Sequence, residues 1–375
     1  MINLDDRDLI SKFDKSNQIK IMLEWSTLLG EAKEQKLKFS IPMNIQWKNK
    51  SIEYKNPDNV IICGMGGSAI AGDYLISLLD EELDIPVILN RSYQLPNFVN
   101  EKTLVVCISY SGNTEETLSR YHDAIIKGAM VVAISSSGLL EKFSEEIGTP
   151  YIKIKEGLPP RCSLPLIYIS LIKIFEEFNL LTNIDHDIEE TENILEKLAK
   201  QYSPTILVED NIAKGIAYGL FNTLPIFIGH TIYSPVAFRG KCELNENSKV
   251  LAIYEELPEQ NHNGIVAWDN PNKAYNDVSV VLFREKNESK QIEIRIEETK
   301  KIVLEKTEKV LEIYPEGKSK FAKQMSATFL VDFISIYLGI LYELDPSATP
   351  SIDRLKEVLK KKTNLQEKVQ KQLLS

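Results

Sequence analysis

Two short loops rich in glycine and serine constrain the fold of this chain more than any other feature. The first loop, GMGGSAIAGD at 64–73, follows a strand-like apolar run, and the second, SYSGNTEET at 109–117, follows another. A helix is predicted behind each loop, and the N–H groups and positive dipole end of a helix N-terminus bind anions. Glycines admit a ligand close to the backbone, and hydroxyls add hydrogen-bond donors. The predicted phosphate contacts are Gly66, Gly67, Ser68, Ser109, Ser111 and Thr114.

The segment that contains both loops alternates between strand-like and helix-like patterns. Strands are predicted at 60–63, 85–89, 103–108, 130–134 and 151–154, with helices at 69–79 and 114–126. Such alternation predicts a mostly parallel sheet flanked by helices, whose ligands bind at the C-terminal ends of the strands. Because both loops fall at that edge, we expect them to form a single site.

A second α/β set is predicted in the other half of the chain. Two helices within 164–198 close the first set, and the second begins at 205–208 or at 225–228. Further elements are predicted at 250–254, 278–283, 292–296 and 310–313, then a long apolar helix at 321–342 and an amphipathic tail at 352–374. The second set lacks matching glycine–serine loops, so phosphate is expected in the first alone. The predicted domains are an N-terminal helical arm (1–50), a first α/β domain (51–200), a second α/β domain (201–350) and a C-terminal helical segment (351–375).

Composition narrows the classes of protein that fit. A chain of 375 residues with 43% apolar and 26% charged residues is long enough for two globular domains. Its net charge of −10 argues against general nucleic-acid binding. Four scattered cysteines without CxxC spacing predict reduced thiols, and no Asp, Glu and His cluster has metal-ligand spacing. With no bilayer-length apolar run and no signal-like N-terminus, a cytoplasmic protein without a membrane partner is expected.

Four further segments narrow the family. They are PPR at 159–161, LNENSK at 244–249, NHN at 261–263 and TPSIDRLK at 349–356. With the two loops, they resemble the SIS (sugar isomerase) fold, and within it the archaeal-type bifunctional phosphoglucose/phosphomannose isomerases, over about 58–360. The resemblance implies two SIS-type subdomains, each a mostly parallel sheet flanked by helices, with helical extensions at both ends. It also implies reversible conversion of fructose 6-phosphate to glucose 6-phosphate and mannose 6-phosphate, as in glycolysis and gluconeogenesis. No metal or organic cofactor is implied, and the enzyme is expected to be a homodimer with active sites between subunits.

Aldose–ketose isomerisation moves a proton between C1 and C2 through a cis-enediolate, which requires a base, a group that stabilises the enediolate and an acid that opens the ring. Glu246 is the predicted base; a solvated glutamate at a helix end is the alternative, and the resemblance favours catalysis. His262 lies in a polar turn, where an imidazole with an ordinary pKa of about 6.5 can exchange a proton with the ring hydroxyl. The resemblance implies that His262 acts in the partner subunit's site. The other histidines, His122, His186 and His230, are predicted to be structural, although His230 follows an apolar strand and is a candidate to approach the site.

Three more residues receive roles from the resemblance. Arg161 follows two prolines that favour an extended backbone, and its positive charge would stabilise the enediolate; a surface ion pair is the alternative. Lys356 lies in a charged helical run, where solvation is the ordinary state, and the resemblance implies that it assists ring opening. Thr349 matches a position where a small hydroxyl side chain leaves room for water, so we expect the enediolate to rotate and yield either aldose.

Two other functions fit parts of the pattern. The isomerase half of a glucosamine-6-phosphate synthase shares the fold but needs ammonia from a glutaminase domain, which does not fit in this chain. A non-catalytic sugar-phosphate sensor would keep the phosphate loops, but such modules commonly lose the base and add a DNA-binding domain. The first loop also superficially resembles a dinucleotide fingerprint, yet GxGG is not GxGxxG, and a second serine-rich loop suits a monophosphate better.

Overall fold

A computed structural model describes residues 3–36, 39–273 and 275–374 of the chain. The chain divides into two compact units. The first-sheet unit comprises Thr27–Asp185 with the residues from Thr349 onward, and the second-sheet unit comprises the residues up to Ser26 with His186–Ala348.

The first-sheet unit is built on five parallel strands. They are β3 (Asn59–Cys63), β4 (Val87–Asn90), β5 (Thr103–Ile108), β6 (Met130–Ser135) and β7 (Tyr151–Lys153), preceded by a short antiparallel hairpin of β1 (Asn44–Trp47) and β2 (Lys50–Glu53). Their spatial order is β4-β3-β5-β6-β7. β5 and β6 are buried along their whole length, as central strands covered on both faces are. This order places the ligand edge between β3 and β5, where the connections leave the sheet in opposite directions.

Helices of the first-sheet unit cover the sheet with apolar faces. In α5 (Glu115–Lys127), Leu118 and Tyr121 are buried at helical spacing, and Gly128 ends the helix with a φ of +72°. In α14 (Leu365–Leu374), Val369 and Leu373 lie four residues apart and join the same apolar core. The remaining helices are α3 (Trp25–Lys36), which begins in the second-sheet unit, α4 (Gly66–Leu79), α6 (Gly138–Ile147), α7 (Leu164–Glu177) and α13 (Pro350–Thr363).

The second-sheet unit has four parallel strands. They are β8 (Leu224–His230), β9 (Ile253–Leu257), β10 (Val278–Phe283) and β11 (Val310–Ile313), in the order β11-β10-β8-β9. The helices of this unit are α1 (Arg7–Phe13), α2 (Gln18–Leu23), α8 (Asp185–Tyr202), α9 (Ile212–Leu220), α10 (Ser234–Glu243), α11 (Lys290–Leu304) and α12 (Lys320–Leu341).

α12 is the central helix of the second-sheet unit. Among the described residues it alone is long and apolar enough to cross a membrane by length and composition. The most apolar window of α12 is wholly buried inside the protein, which is also the pattern of a core helix.

The predicted α/β class with parallel sheets flanked by helices is confirmed. Of the two proposed starts of the second set, 225–228 is correct, because it lies in β8, whereas 205–208 ends at the 3₁₀ turn Val208–Asp210. The predicted element at 292–296 is not a separate one, since it lies inside α11. The element predicted at 250–254 is β9, displaced by three residues.

The compact units divide the chain at different places from the predicted domains. The predicted N-terminal arm (1–50) is split after Ser26, and residues 186–200 group with the second sheet. The predicted C-terminal segment (351–375) groups with the first sheet, whose core α14 completes.

Candidate active site

The first glycine–serine loop connects β3 to α4. The helix begins at Gly66 directly behind the loop, and the residue before it, Met65, is extended and supplies no side-chain cap. Ser68 N and Ala69 N donate to Met65 O at 3.0 and 3.4 Å, whereas the amides of Gly66 and Gly67 have no helical turn before them to bond to, which is the condition for anion binding. Gly66 is exposed, whereas Ser68 is only 8% exposed.

The second loop connects β5 to α5 and is held by its own hydroxyls. Ser109 is fully buried, and its Oγ lies 2.8 Å from Thr114 Oγ1 and accepts from Thr114 N at 3.4 Å. Ser111, which is exposed, accepts a hydrogen bond from Asn113 N at 3.3 Å. Three hydroxyls and the start of α5 are thus gathered within residues 109–115.

A direct hydrogen bond joins the two loops. Cys63 and Cys107 are register partners on β3 and β5, so the loops leave the sheet side by side. Tyr110 N then donates to Ser68 Oγ at 3.1 Å. The predicted phosphate residues therefore come together at the ligand edge of one sheet.

Arg161 lies beside the first loop. It belongs to the 3₁₀ turn Pro160–Ser163, which follows the extended Pro159, and it is 7% exposed. A Cβ placed on Gly67 would lie 3.5 Å from Arg161 Cα and 3.2 Å from Pro160 O, so the absence of a side chain at Gly67 allows this approach. The Arg161 backbone thus lies against the first predicted phosphate loop, and a buried guanidinium is a group that can stabilise a developing oxyanion.

Glu246 lies in the second-sheet unit, on a π-helical turn. α10 ends at Glu243, the turn spans Leu244–Ser248, and Lys249, with a φ of +55°, closes it. Such turns are rare and occur frequently at functional sites. Glu246 is half-buried, and both flanking asparagines hold the turn: Asn245 donates to Val250 O at 2.7 Å, and the Asn247 side chain is bonded within the core.

His262 is exposed at the end of the 3₁₀ turn Glu259–His262, which follows β9 in the second-sheet unit. Its neighbour Asn261 donates to Thr299 Oγ1 at 2.8 Å and accepts from Arg295 at 3.1 Å. These bonds fix the turn and leave the imidazole at the surface.

Comparisons with known proteins identify the family. Residues 209–359 match the family described as bacterial phospho-glucose isomerase C-terminal SIS domain. The bifunctional phosphoglucose/phosphomannose isomerase of Caldicellulosiruptor bescii is 39% identical over 329 residues, covering 86% of this chain and 97% of that protein. This chain belongs to the bifunctional phosphoglucose/phosphomannose isomerase family. The enzyme of the same name from Aquifex aeolicus is 32% identical over 84% of this chain and 95% of its own length.

Solved structures support the fold. The crystal structure of a hypothetical protein from Thermus thermophilus superposes with a TM-score of 0.69, at 14% identity, over 95% of this chain and 92% of that one. At this level of identity the likeness concerns the fold alone.

The remaining predicted residues of this family member lie on the C-terminal part of the first-sheet unit. Thr349 directly precedes α13 and is half-buried, whereas Lys356 is exposed on that helix. The cradle residues, Arg161, Thr349 and Lys356 thus belong to one unit, and Glu246 and His262 to the other.

Sequence reasoning missed a third serine-rich loop in this member of the isomerase family. Residues 135–138, SSSG, begin with the last residue of β6, and Ser136 donates from both N and Oγ to Tyr110 O, at 2.9 and 2.7 Å. A Cβ on Gly112 would lie only 1.7 Å from Ser137 O. The third loop therefore packs tightly under the second and fixes its backbone. Its signal was present in the sequence, since it too is a serine–glycine run after an apolar strand.

His230 ends β8 and is 3% exposed. Its Nδ1 lies 3.1 Å from Thr231 Oγ1. Burial lowers the pKa of His230, because it disfavours the charged imidazolium. A neutral buried imidazole fits the structural role that the sequence predicted.

Proposed function

We propose that this chain interconverts fructose 6-phosphate with glucose 6-phosphate and mannose 6-phosphate, as the names of its relatives indicate for those enzymes. The observation that carries the proposal is the Tyr110 N to Ser68 Oγ bond, which makes one phosphate cradle of two loops in a member of this family. The cradle would hold the phosphate of a hexose phosphate through Ser68, Ser109, Ser111 and Thr114, with the glycines Gly66 and Gly67 admitting it to the backbone.

The proposed reaction begins with ring opening and ends with proton return. His262, acting in the partner's site of a homodimer, would exchange the proton of the ring hydroxyl with assistance from Lys356. The Glu246 carboxylate then abstracts the proton from C1 or C2 and returns it to the other carbon, while a hydroxyl proton passes between O1 and O2 so that the carbonyl changes place. Arg161 stabilises the negative charge that develops on the enediolate oxygens. Rotation of the enediolate near Thr349 would allow the proton to return to either face of C2.

The proposal includes three further properties. The chemistry needs no metal or organic cofactor, because a carboxylate and a guanidinium supply the base and the oxyanion partner. The substrates are small sugar phosphates, and neither nucleic acid nor a membrane takes part. We expect a cytoplasmic homodimer.

A coupled assay with purified protein tests the function. The protein is incubated with fructose 6-phosphate and EDTA, and glucose 6-phosphate and mannose 6-phosphate are followed separately. We expect both aldoses to accumulate. Glu246→Gln should lower kcat by at least about 100-fold, since an amide cannot accept the carbon-bound proton, while inorganic phosphate still binds. Phosphate binding by the unmodified protein without turnover of either aldose would instead favour a non-catalytic sensor.

A further inference from the structure

A buried network of polar side chains surrounds the turn that carries Glu246. At its centre is Asn247, which is fully buried. Asn247 Nδ2 donates to Glu243 Oε2 at 3.0 Å and to Ser335 Oγ at 2.8 Å, and Gln18 Nε2 donates to Asn247 Oδ1 at 3.1 Å. One amide group therefore ties the turn to three helices, α10, α12 and α2.

Buried charged groups restrict the geometry of this network. Arg239, 2% exposed, donates to both carboxylate oxygens of Asp332, at 2.8 and 2.6 Å, and lies 3.1 Å from Glu243 Oε1. Glu243 is 4% exposed, and its carboxylate is held by Arg239 at one oxygen and by Asn247 at the other. A buried carboxylate that loses a partner is costly, and the turn cannot move without breaking such a contact.

The backbone after Glu246 is fixed as well. A Cβ on Gly339 would lie 2.5 Å from Asn247 O, so α12 packs directly against the turn. Ser248 Oγ donates to Ser335 O at 2.6 Å, and Lys249 Nζ donates to Asp345 O at 2.7 Å. Glu246 is thus a half-exposed carboxylate on a backbone whose following residues are anchored in the core.

We infer that Asn247 is the positioning residue for Glu246: its buried amide holds the π-helical turn in the one arrangement that directs the carboxylate at the substrate carbons. The inference rests on the proposed function, because it assigns the base to Glu246. A base must be held close to its proton, and a displacement of about 1 Å can lower the rate about 100-fold. Asn247 itself contacts no substrate in this scheme.

The first test compares two variants that each remove a buried polar side chain from the second-sheet unit. Asn247→Ala removes the amide, and Ser279→Ala removes the hydroxyl that bonds Thr223 Oγ1 at 2.8 Å. We expect Asn247→Ala to lower kcat about 10- to 100-fold with KM changed by less than about 3-fold, and Ser279→Ala to retain the wild-type kcat. A kcat for Asn247→Ala within about 3-fold of that for Ser279→Ala overturns the inference.

A double-mutant cycle separates positioning from general destabilisation. If Asn247 acts through Glu246, Asn247→Ala should lower the residual turnover of Glu246→Gln by less than about 2-fold, because the group that it positions is already absent. Equal losses in both backgrounds would contradict the inference. If Asn247→Ala does not fold, Ser335→Ala, which removes one partner of the amide, takes its place with a smaller expected loss of kcat and the same cycle.

The outcomes also distinguish this inference from the proposed function. Turnover by Glu246→Gln within about 10-fold of wild type means that Glu246 is not the base, whatever Asn247→Ala does. Loss of turnover in Glu246→Gln with normal kcat in Asn247→Ala leaves the base in place and removes the positioning role.

Discussion

The second glycine–serine loop should not tolerate a methyl group at Gly112, and the reason can be isolated with a matched glycine at the other end of the adjacent helix α5. Gly112 precedes α5 with a φ of +64°, and Gly128 follows α5 with a φ of +72°. Alanine in this left-handed region costs roughly 1–2 kcal/mol at either position. At Gly128 nothing lies within 4 Å of the new Cβ, so that is the whole expected loss.

At Gly112 the new Cβ would also meet backbone. Ser137 O lies 1.7 Å from it, and Cβ contacts shorter than 3.0 Å essentially do not occur, so one of the two loops must move by about 1.3 Å. Overpacking of this kind adds about 1–3 kcal/mol. We therefore expect Gly112→Ala to lower the free energy of unfolding by about 2–5 kcal/mol, against roughly 1–2 kcal/mol for Gly128→Ala.

The displacement of the loop should also weaken phosphate binding. If one charge-assisted hydrogen bond to phosphate is lost, worth about 1.5–3 kcal/mol, the Kd for inorganic phosphate rises about 10-fold or more. Urea unfolding and titration calorimetry measure the two effects on the same preparations, with Gly128→Ala expected to bind phosphate normally. Equal unfolding free energies and equal phosphate affinities for the two variants would refute the argument that the third loop fixes the second.

Four further predictions concern other parts of the chain. Leu373→Ala should lower the free energy of unfolding in urea by about 2–5 kcal/mol because Leu373 is 2% exposed. Gln366→Ala removes the 2.6 Å bond from the Gln366 side chain to Asn113 O in the second loop, so it should raise the Kd for inorganic phosphate with little change in the free energy of unfolding. Burial lowers the pKa of His230 in the folded protein, so as the pH falls below about 6.5 the unfolded chain takes up a proton that the folded protein does not, and the free energy of unfolding decreases. His230→Gln should make this decrease between about pH 7 and 5 smaller. Thr349→Gln should depress turnover of mannose 6-phosphate selectively, and equal losses on both aldoses in the coupled assay would remove the proposed rotation role.

The position of the two glycine–serine loops at one sheet edge could be predicted because its determinants are local. Each loop consists of a strand end, a few small residues and a helix start within about ten residues, so the pattern can be recognised in the sequence without information from the rest of the chain. The hydrogen-bond network around Glu246 could not be predicted in this way, because its partners are distant in the sequence. Asn247 bonds to Ser335, 88 residues away, and to Gln18, 229 residues away, and no local pattern predicts either contact.

The element predicted at 292–296 shows how a local pattern misleads. Isoleucines at 292, 294 and 296 alternate with charged residues, which suits a strand. In the structure Ser289 Oγ accepts from Ile292 N and begins α11. Ile296 is then buried and Ile294 is 51% exposed, because a helix presents positions four apart, not two apart, to the sheet.

The two sheets have the same strand order, but their loops differ in chemistry. Counted along the chain, the first four strands of each sheet lie in the spatial order second, first, third, fourth, so β8 and β10 correspond to β3 and β5. After β5, the corresponding edge is lined by hydroxyls and helix amides. The loop after β10 carries a carboxylate instead: Glu288 accepts from Glu285 N at 2.7 Å and from Arg284 at 2.9 and 3.1 Å.

Glu288 therefore takes the backbone and guanidinium donors that an anionic ligand would otherwise engage. Arg284 forms ion pairs with the carboxylates of Glu288, Glu297 and Glu312, and these carboxylates raise the pKa of Arg284. An anion approaching this edge would have to displace a bonded carboxylate and bear its repulsion. This gives a physical reason for the expectation that phosphate binds in the first unit alone, because an internal carboxylate already accepts from the donors that follow β10.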